Sequence, residues 1–444
     1  MQHRLAHLLV LCIALWTTSC GGGAEGSSTP TQSCASCATS GTAEGSGTEG
    51  SGTAATGNAD ASGTGVAGGV GSGGTGIGTD GGVGSGGTGI SADAVGIGGV
   101  DAFGSIYVNG IRHDISHATL TLSDITALQL GVTVQVSGTV DTSLSTGTAS
   151  YVVSAADLRG VVTSLQAGSG TFVLMGTTVS TDDATVFAGG ATSVATLAVG
   201  QILQVHGLPG AAGTLRATRV EKLGAASSTI VSGVLQNLRT SDQTFQIGAL
   251  TVQYGSASLL APLTTATLVN GMLVRVRAAG EPSAGAVSAT QIGNWYTLPT
   301  TMGRSGNLGG LVTDYASLAS FRLLGVAVDA SSARITGGLA SSIGNGVKVE
   351  VSGAMENNTL KVTALKIRHI PGTGGPVAFS VSGAIGQFTS SASFRVQGQP
   401  IDASGAGVAF VNGTASNLAS GKKVSVSGSQ VVNGVLLAQQ VTFN

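Results

Sequence analysis

Short runs in which apolar and polar residues alternate recur along the chain from about residue 97 to its end. In Phe394–Val396 and Val424–Val426 every second side chain is apolar, so the apolar side chains of each run share one face of a strand. Gly421 and Gly428 flank the second run and suit turns with positive φ or bulges. With a further strand around Pro400–Asp402, the order predicted is three strands, a linker and two strands. That order is typical of an OB-like five-stranded barrel.

This pattern is an internal repeat. A Gly-x-apolar-x-x-apolar signature occurs five times, starting at Gly98, Gly160, Gly233, Gly310 and Gly383. Three further signatures follow it in the same order each time; the first of these three begins with Ile106, Phe172, Phe245, Phe321 and Phe394. A period of about 70 residues exceeds that of most solenoid repeats and is just long enough for a separate core.

The sequence therefore predicts an all-β protein: five tandem small OB-like five-stranded β-barrels after a disordered Gly/Ser/Thr-rich tether. We expect separate domains arranged like beads on a string, and not one continuous sheet. The expected segments are a lipoprotein signal peptide at 1–19, the tether at 20–96, and repeats at 97–159, 160–226, 227–300, 301–375 and 376–444.

The repeats resemble a known bacterial family. Gly-x-Val-x-x-Phe followed by a strand that ends in Val-Asn-Gly, as in the segment Phe103–Gly110, is similar to the domain of unknown function 5666. The resemblance extends over residues 97–444. It implies a β-rich fold in an exported protein or lipoprotein. Because the family has no assigned activity, the resemblance assigns no functional residue.

The N-terminus predicts export. Arg4 precedes a short apolar run, Leu8–Trp16, which is the pattern of a signal peptide. Ser19-Cys20 resembles the bacterial lipobox, in which the cysteine becomes the lipid-modified first residue of the mature protein. Gly21 resembles the residue found there in lipoproteins sorted to the outer membrane. The alternative is an ordinary secretion signal with an incidental cysteine.

Residues 21–96 contain mainly Gly, Ser, Thr and Ala and have acidic residues but no Lys or Arg. Such a composition buries too little apolar surface to offset the entropy lost on folding, so it predicts a flexible tether. Cys34 and Cys37 lie within it. Without a structured context or a second ligand pair, they predict a local disulfide or two idle thiols.

The charge pattern does not favour catalysis. Charged residues make up 9% of the chain and the net charge is −2, which suits an exported β-protein. His113 and His117 lie too far apart on a strand to form half of a metal site, so we expect both at the surface. The strand alternation places His206 on the outside of its barrel. We expect neither an enzyme nor a metal or other cofactor.

Ligand surfaces are scarce. Nucleic acid binding by an OB barrel requires a basic groove with aromatic platforms, but only Tyr107 among the outward residues of the second strands is aromatic. No nucleic acid partner is therefore expected. Trp295 and Tyr296 form an aromatic cluster between the third and fourth repeats, so they and Tyr107 are the candidate ligand surface. The alternative for Trp295 and Tyr296 is packing at a joint between domains.

Two functions fit these observations. The first is a lipid-anchored cell-envelope protein, displayed from the outer membrane towards the periplasm or the cell surface, whose repeats are non-catalytic scaffold or interaction modules with an envelope protein or glycan as partner. The alternative is a protein that binds polysaccharide or peptidoglycan. In both, the membrane contact is the lipid on Cys20.

Replacing Cys20 tests the anchor. Cys20→Ser should release the protein from the membrane fraction, because Cys20 would be its sole lipid attachment. Cell fractionation with metabolic labelling by a fatty acid measures this. A variant that stays in the membrane fraction and is processed like the wild type would show that the lipoprotein assignment is wrong.

Overall fold

The computed structural model describes residues 92–141, 144–225, 228–298, 303, 305–370 and 379–444. Cys20, the expected signal peptide and the expected tether up to residue 91 lie outside these residues. The described part is all-β, as predicted from the alternation pattern, and contains no α-helix. In this part of the chain no helix is long and apolar enough to cross a membrane.

The strands fall into five groups that repeat one order. The first repeat contains β1 (Ala92–Phe103), β2 (Ile106–Val108), β3 (Ile111–Asp114), β4 (Thr119–Leu122), β5 (Thr133–Val140) and β6 (Thr146–Ser154). The second contains β7 (Leu158–Gln166), β8 (Thr171–Leu174), β9 (Thr177–Ser180), β10 (Val186–Ala188), β11 (Ile202–Pro209) and β12 (Thr214–Leu223). The third contains β13 (Thr229–Arg239), β14 (Thr244–Ile247), β15 (Leu250–Gln253), β16 (Ser258–Leu259), β17 (Leu273–Ala278) and β18 (Ala286–Asn294).

The last two repeats follow the same plan. The fourth contains β19 (Ser305–Ser317), β20 (Ser320–Leu323), β21 (Val326–Asp329), β22 (Arg334–Thr336), β23 (Lys348–Glu356) and β24 (Thr359–His369). The fifth contains β25 (Phe379–Ser390), β26 (Ser393–Val396), β27 (Gln399–Asp402), β28 (Ala409–Val411), β29 (Lys423–Gly428), β30 (Gln430–Val432), β31 (Val435–Leu437) and β32 (Gln440–Phe443). Short 3-10 turns lie at Ala167–Ser169, Val194–Thr196, Ala340–Ser342 and Ala415–Asn417.

Within each repeat the strands pair in a cycle. In the first repeat β1 is antiparallel to β2 and β2 to β3, while β3 runs parallel to β6. Then β6 is antiparallel to β5, which pairs back to β1. The short β4 adds to β6 in parallel. The second, third and fourth repeats pair in the same way; in the fifth, the closing strand is divided into β31 and β32.

The core lies inside these cycles. The phenylalanine near the start of the second strand in repeats two to five points inward, as the alternation predicts: Phe172, Phe245, Phe321 and Phe394 are all buried. Val426 and Val396 join Phe394 in the core of the fifth repeat. The second and third repeats share one continuous apolar cluster, which extends from Leu158 to Ile292.

The prediction of five discrete barrels on a string is wrong, because strands also pair between repeats. β1 runs parallel to β19, from Ala94 opposite Ser305 to Ile97 opposite Leu308, and it also contacts β25 in parallel. β7 pairs with β13. Among the described residues, one sheet of 20 strands joins repeats one, four and five, and one of 12 strands joins repeats two and three. Residues 92–96, which were assigned to the tether, belong to β1.

Asn109 holds β1 against β19. With Gly110 it forms the turn between β2 and β3, where both residues have positive φ (53° and 79°). Its buried Nδ2 donates to the carbonyl oxygens of Ile97 (2.8 Å) and Asn307 (3.3 Å), one on each of the two strands. A Cβ on Gly98 or Gly309 would lie only 2.2 or 2.1 Å from Asn109 Oδ1. Two glycines facing one asparagine therefore make the contact between repeats one and four possible.

This arrangement predicts a compensating pair of substitutions. Gly309→Ala should lower stability by about 1–3 kcal/mol, because the new methyl group overpacks a buried contact. Asn109→Gly keeps the positive φ and removes the obstructing side chain. In the Asn109→Gly background, Gly309→Ala should therefore lower stability much less. Calorimetric melting of the four proteins gives the coupling energy. Gly344→Ala, at a site with open space, is the control. Strictly additive effects would contradict the proposed contact.

Candidate functional site

Two of the three residues of the predicted aromatic surface, Trp295 and Tyr296, are buried. Trp295 and Tyr296 are 1% and 6% exposed and pack edge to face with 4.7 Å between ring centroids. They lie at a joint where repeats one, two and three meet, which we call the three-repeat joint. The chain leaves β18 at this point, so its aromatic side chains fill the space between repeats. Neither ring can stack on a sugar in this arrangement, which agrees with the alternative of packing between domains.

Asp157 is at the centre of the three-repeat joint and is fully buried. Its Oδ1 accepts hydrogen bonds from Trp295 Nε1 (2.6 Å) and from Arg275 (3.0 Å). Its Oδ2 accepts from Thr133 Oγ1 (2.7 Å) and the Gly207 backbone N–H (2.8 Å). Four donors from all three repeats thus satisfy one buried carboxylate, which is the condition under which a buried charge is tolerated.

Asp124 is a second buried carboxylate at this joint. It forms ion pairs with Arg159 of the second repeat (2.8 Å) and Arg277 of the third (2.6 Å). Burial alone would raise the pKa of Asp124, but hydrogen bonding and charge from Arg277, with the charge of Arg159, hold the pKa at about 2. The three charges therefore tie three repeats together.

A separate charged cluster joins repeats one and four. Arg368 lies 3.0 Å from Glu350 and 3.4 Å from Asp101. Burial raises the pKa of both carboxyl groups, although the Arg368 charge opposes the effect. No group of three or more His, Cys, Asp or Glu side chains within the described ranges is placed to hold a metal ion.

Of the three histidines whose position was expected, His113 departs from the expectation. His113, expected at the surface, is 3% exposed, because the alternation of β3 places it on the same inward face as Ile111. His117 is exposed, as expected. His206 does point out of its own repeat, but the first repeat covers it and leaves it 1% exposed.

The remaining aromatic candidates differ in exposure. Tyr107 is half-buried on β2, opposite Arg112 of β3. Tyr151 is 58% exposed on β6, beside Ser137 of β5, and the sequence reasoning missed it. The signal for it was present: Val152 is fully buried, so its neighbour must face the opposite side of the strand.

A groove of about 840 Å³ lies between repeats two, three and four. Its floor is aliphatic and includes Pro209, Leu273, Leu311 and Leu324. Its rim carries the polar side chains Asn270, Asn345, Asp314 and Arg322. This combination of an apolar floor and a few polar groups is common in binding sites for small ligands.

The rim groups are fixed by local contacts. Asn270 Oδ1 accepts the Leu238 N–H (3.0 Å), and Asn345 Oδ1 accepts the Tyr315 N–H (2.9 Å) at the equivalent place in the next repeat. Within the described residues the Nδ2 groups of both asparagines have no partner, so they can donate to a ligand. Arg322 donates to the Gly325 carbonyl (2.7 Å) and lies 3.7 Å from Asp314.

These features define a tandem-repeat all-β protein with a groove at a repeat junction. Three segments, 159–221, 309–368 and 382–442, match the family described as Domain of unknown function (DUF5666). The second, fourth and fifth repeats therefore each contain a segment similar to this family, which confirms the resemblance seen in the sequence for these three repeats. No curated protein matches the chain.

The three-repeat joint yields a stability prediction. Asp124→Asn should destabilise the protein by about 3 kcal/mol, because it leaves the buried Arg159 and the partly buried Arg277 without their counterion. The matched control is Asp329→Asn, which removes an equally short but exposed ion pair with Lys361 (2.7 Å) and should have a much smaller effect. Urea unfolding measures both. Equal losses would show that the Asp124 ion pairs do not hold the joint.

Proposed function

We propose that the protein is a lipid-anchored cell-envelope protein whose OB-like β repeats assemble into one non-catalytic scaffold that presents an interaction groove. The observation that carries this proposal is that charged side chains form contacts between repeats. Asp157, Asp124 and Arg159 have buried or nearly buried side chains in contacts between repeats, and the partly exposed Arg277 pairs with Asp124. Their role is to hold repeats in fixed positions, which is a mechanical role.

Each repeat contributes an OB-like unit. The cyclic strand order, with the third strand parallel to the last, supports this interpretation. In single OB barrels the face of the second and third strands is free to bind ligands. Here Arg322 of β20, on such a strand, lines the groove between repeats, so the binding surface is built by the assembly.

The anchor places this scaffold at a membrane. Cys20 is the lipid attachment in this proposal, and the Gly/Ser/Thr-rich segment before residue 92 separates it from the repeats. An outer-membrane location follows from Gly21 after the cysteine. The partner is an envelope protein or a glycan at that location.

A second candidate function is binding of a cell-wall or extracellular polysaccharide. The observation that favours it is the pair of free amide donors, Asn270 and Asn345, beside the charged pair Arg322 and Asp314 above an aliphatic floor. Hydroxyl groups of a neutral sugar can both accept from the amides and guanidinium and donate to the carboxylate. None of the described residues that line the groove is aromatic, so hydrogen bonds would provide most of the specificity.

The two candidates are separated with the soluble Cys20→Ser form of the full chain. We would measure its binding to a panel of peptidoglycan fragments and polysaccharides by calorimetry. If the groove binds sugar, Arg322→Gln should weaken binding about tenfold, since a hydrogen bond from a charged group is lost.

Arg395→Gln is the matched control. Arg395 occupies the equivalent place in the fifth repeat and makes the same bond to a glycine carbonyl, that of Gly398 (2.6 Å), but it does not line the groove. Equal effects of the two substitutions would exclude the groove as a sugar site. Absence of binding to the whole panel would leave the scaffold with a protein partner as the supported function.

A further inference from the structure

His206 lies at the three-repeat joint with one ring nitrogen, Nδ1, beside Thr133 and the other, Nε2, buried. Its Nδ1 is 3.4 Å from the Thr133 backbone nitrogen, whose N–H it accepts, and 3.2 Å from Thr133 Oγ1. That hydroxyl already donates its hydrogen to Asp157 Oδ2 (2.7 Å). With Nδ1 as acceptor, the ring hydrogen must be on Nε2, which is buried without a partner.

Protonation would disturb this arrangement in two ways. A hydrogen on Nδ1 would turn this nitrogen into a donor towards Thr133 Oγ1 (3.2 Å), so the Thr133 amide would lose its acceptor. A new buried cation would also be near Arg219 of β12 and Arg275 of β17, and only the carboxylates of Asp157 and Asp124 would oppose it. Both carboxylates are already paired with arginines.

The burial of His206 determines how pH changes the stability of the closed joint. Burial, opposed by the Asp157 charge, lowers the pKa of His206 from 6.5 to about 4. A histidine that is neutral when the joint is closed and free to protonate when it is open favours the open form as the pH falls from 6.5 to 4. Asp124 does not titrate in this window, because its pKa is about 2.

We propose that His206 makes the three-repeat joint an acid-sensitive latch: mild acid separates the first repeat from the second and third and exposes Trp295 and Tyr296. The aromatic pair that is buried at neutral pH would then become an apolar surface. This property is independent of the proposed scaffold function, because it concerns the joint and not the groove.

Trp295 provides a direct readout. The chain has two tryptophans, and Trp16 is the other. In a full-length Trp16→Phe protein, the fluorescence of Trp295 alone should shift to longer wavelength between pH 6.5 and 4. Hydrogen exchange at the Thr133 and Gly207 amides should show about 20-fold more opening at pH 5 than at pH 7, from the His206 pKa values in the two states.

Substitution of the imidazole identifies the responsible group. His206→Asn places an uncharged acceptor near the Nδ1 position, so it should keep the joint closed and abolish the pH dependence of opening. His117→Asn, at an exposed site, should leave that dependence unchanged. His113→Asn is the stricter control, because burial also lowers the pKa of His113 to about 4, but His113 lies in the first repeat and outside the joint.

The outcomes are distinct. Loss of the acid response in His206→Asn, with its retention in both controls, supports the latch. Retention in His206→Asn, loss in His113→Asn, or no acid response in the wild type would overturn it. If His206→Asn does not fold by circular dichroism, His206→Gln tests the same point with an uncharged amide.

Discussion

The structure depends on the long first strand, β1. It forms ladders with four strands: β2 and β5 of its own repeat, and β19 and β25 of the last two repeats. A strand has two hydrogen-bonding edges, and unpaired backbone groups are costly to bury. At Ala94–Ile97 and at Ala102, one edge of β1 pairs within the first repeat. The other edge pairs with strands of repeats that lie more than 200 residues away in the sequence. This sharing turns a row of similar units into one body.

Besides this strand sharing, two features join the repeats. One is the close approach of backbones from different repeats, and the other is the set of buried charges between repeats. Gly98 and Gly309 leave space for Asn109, so β1 and β19 can pair. At the three-repeat joint the charges are fully hydrogen-bonded, and such contacts tolerate little change in geometry. A buried charge network adds little net stability over apolar packing, but it penalises any arrangement in which a partner is missing. The joint therefore specifies how the repeats meet.

The all-β character of the repeats and the inward face of many strands could be predicted, because alternation reports which side chains face inward. Phe172, Phe245, Phe321 and Phe394 recur at one place in the period, and all four are in the core. The joints could not be predicted in this way. An outward residue such as Asp157 or His206 gives the same pattern whether solvent or another repeat covers it. The groove was missed for the same reason, since its residues come from three repeats.

Repeats one, four and five share a sheet, so the first repeat can close its own cycle when it is made but cannot pair every strand edge. Until β19 and β25 have been synthesised, the outer edge of β1 has no partner, and an open strand edge is a template for association with other chains. Contacts of such large sequence separation also form slowly. The protein must therefore pass through a period in which its first repeat is vulnerable to aggregation, and removal of the last repeats would make that period permanent. A chain of this design cannot gain or lose units freely, as a true string of beads could.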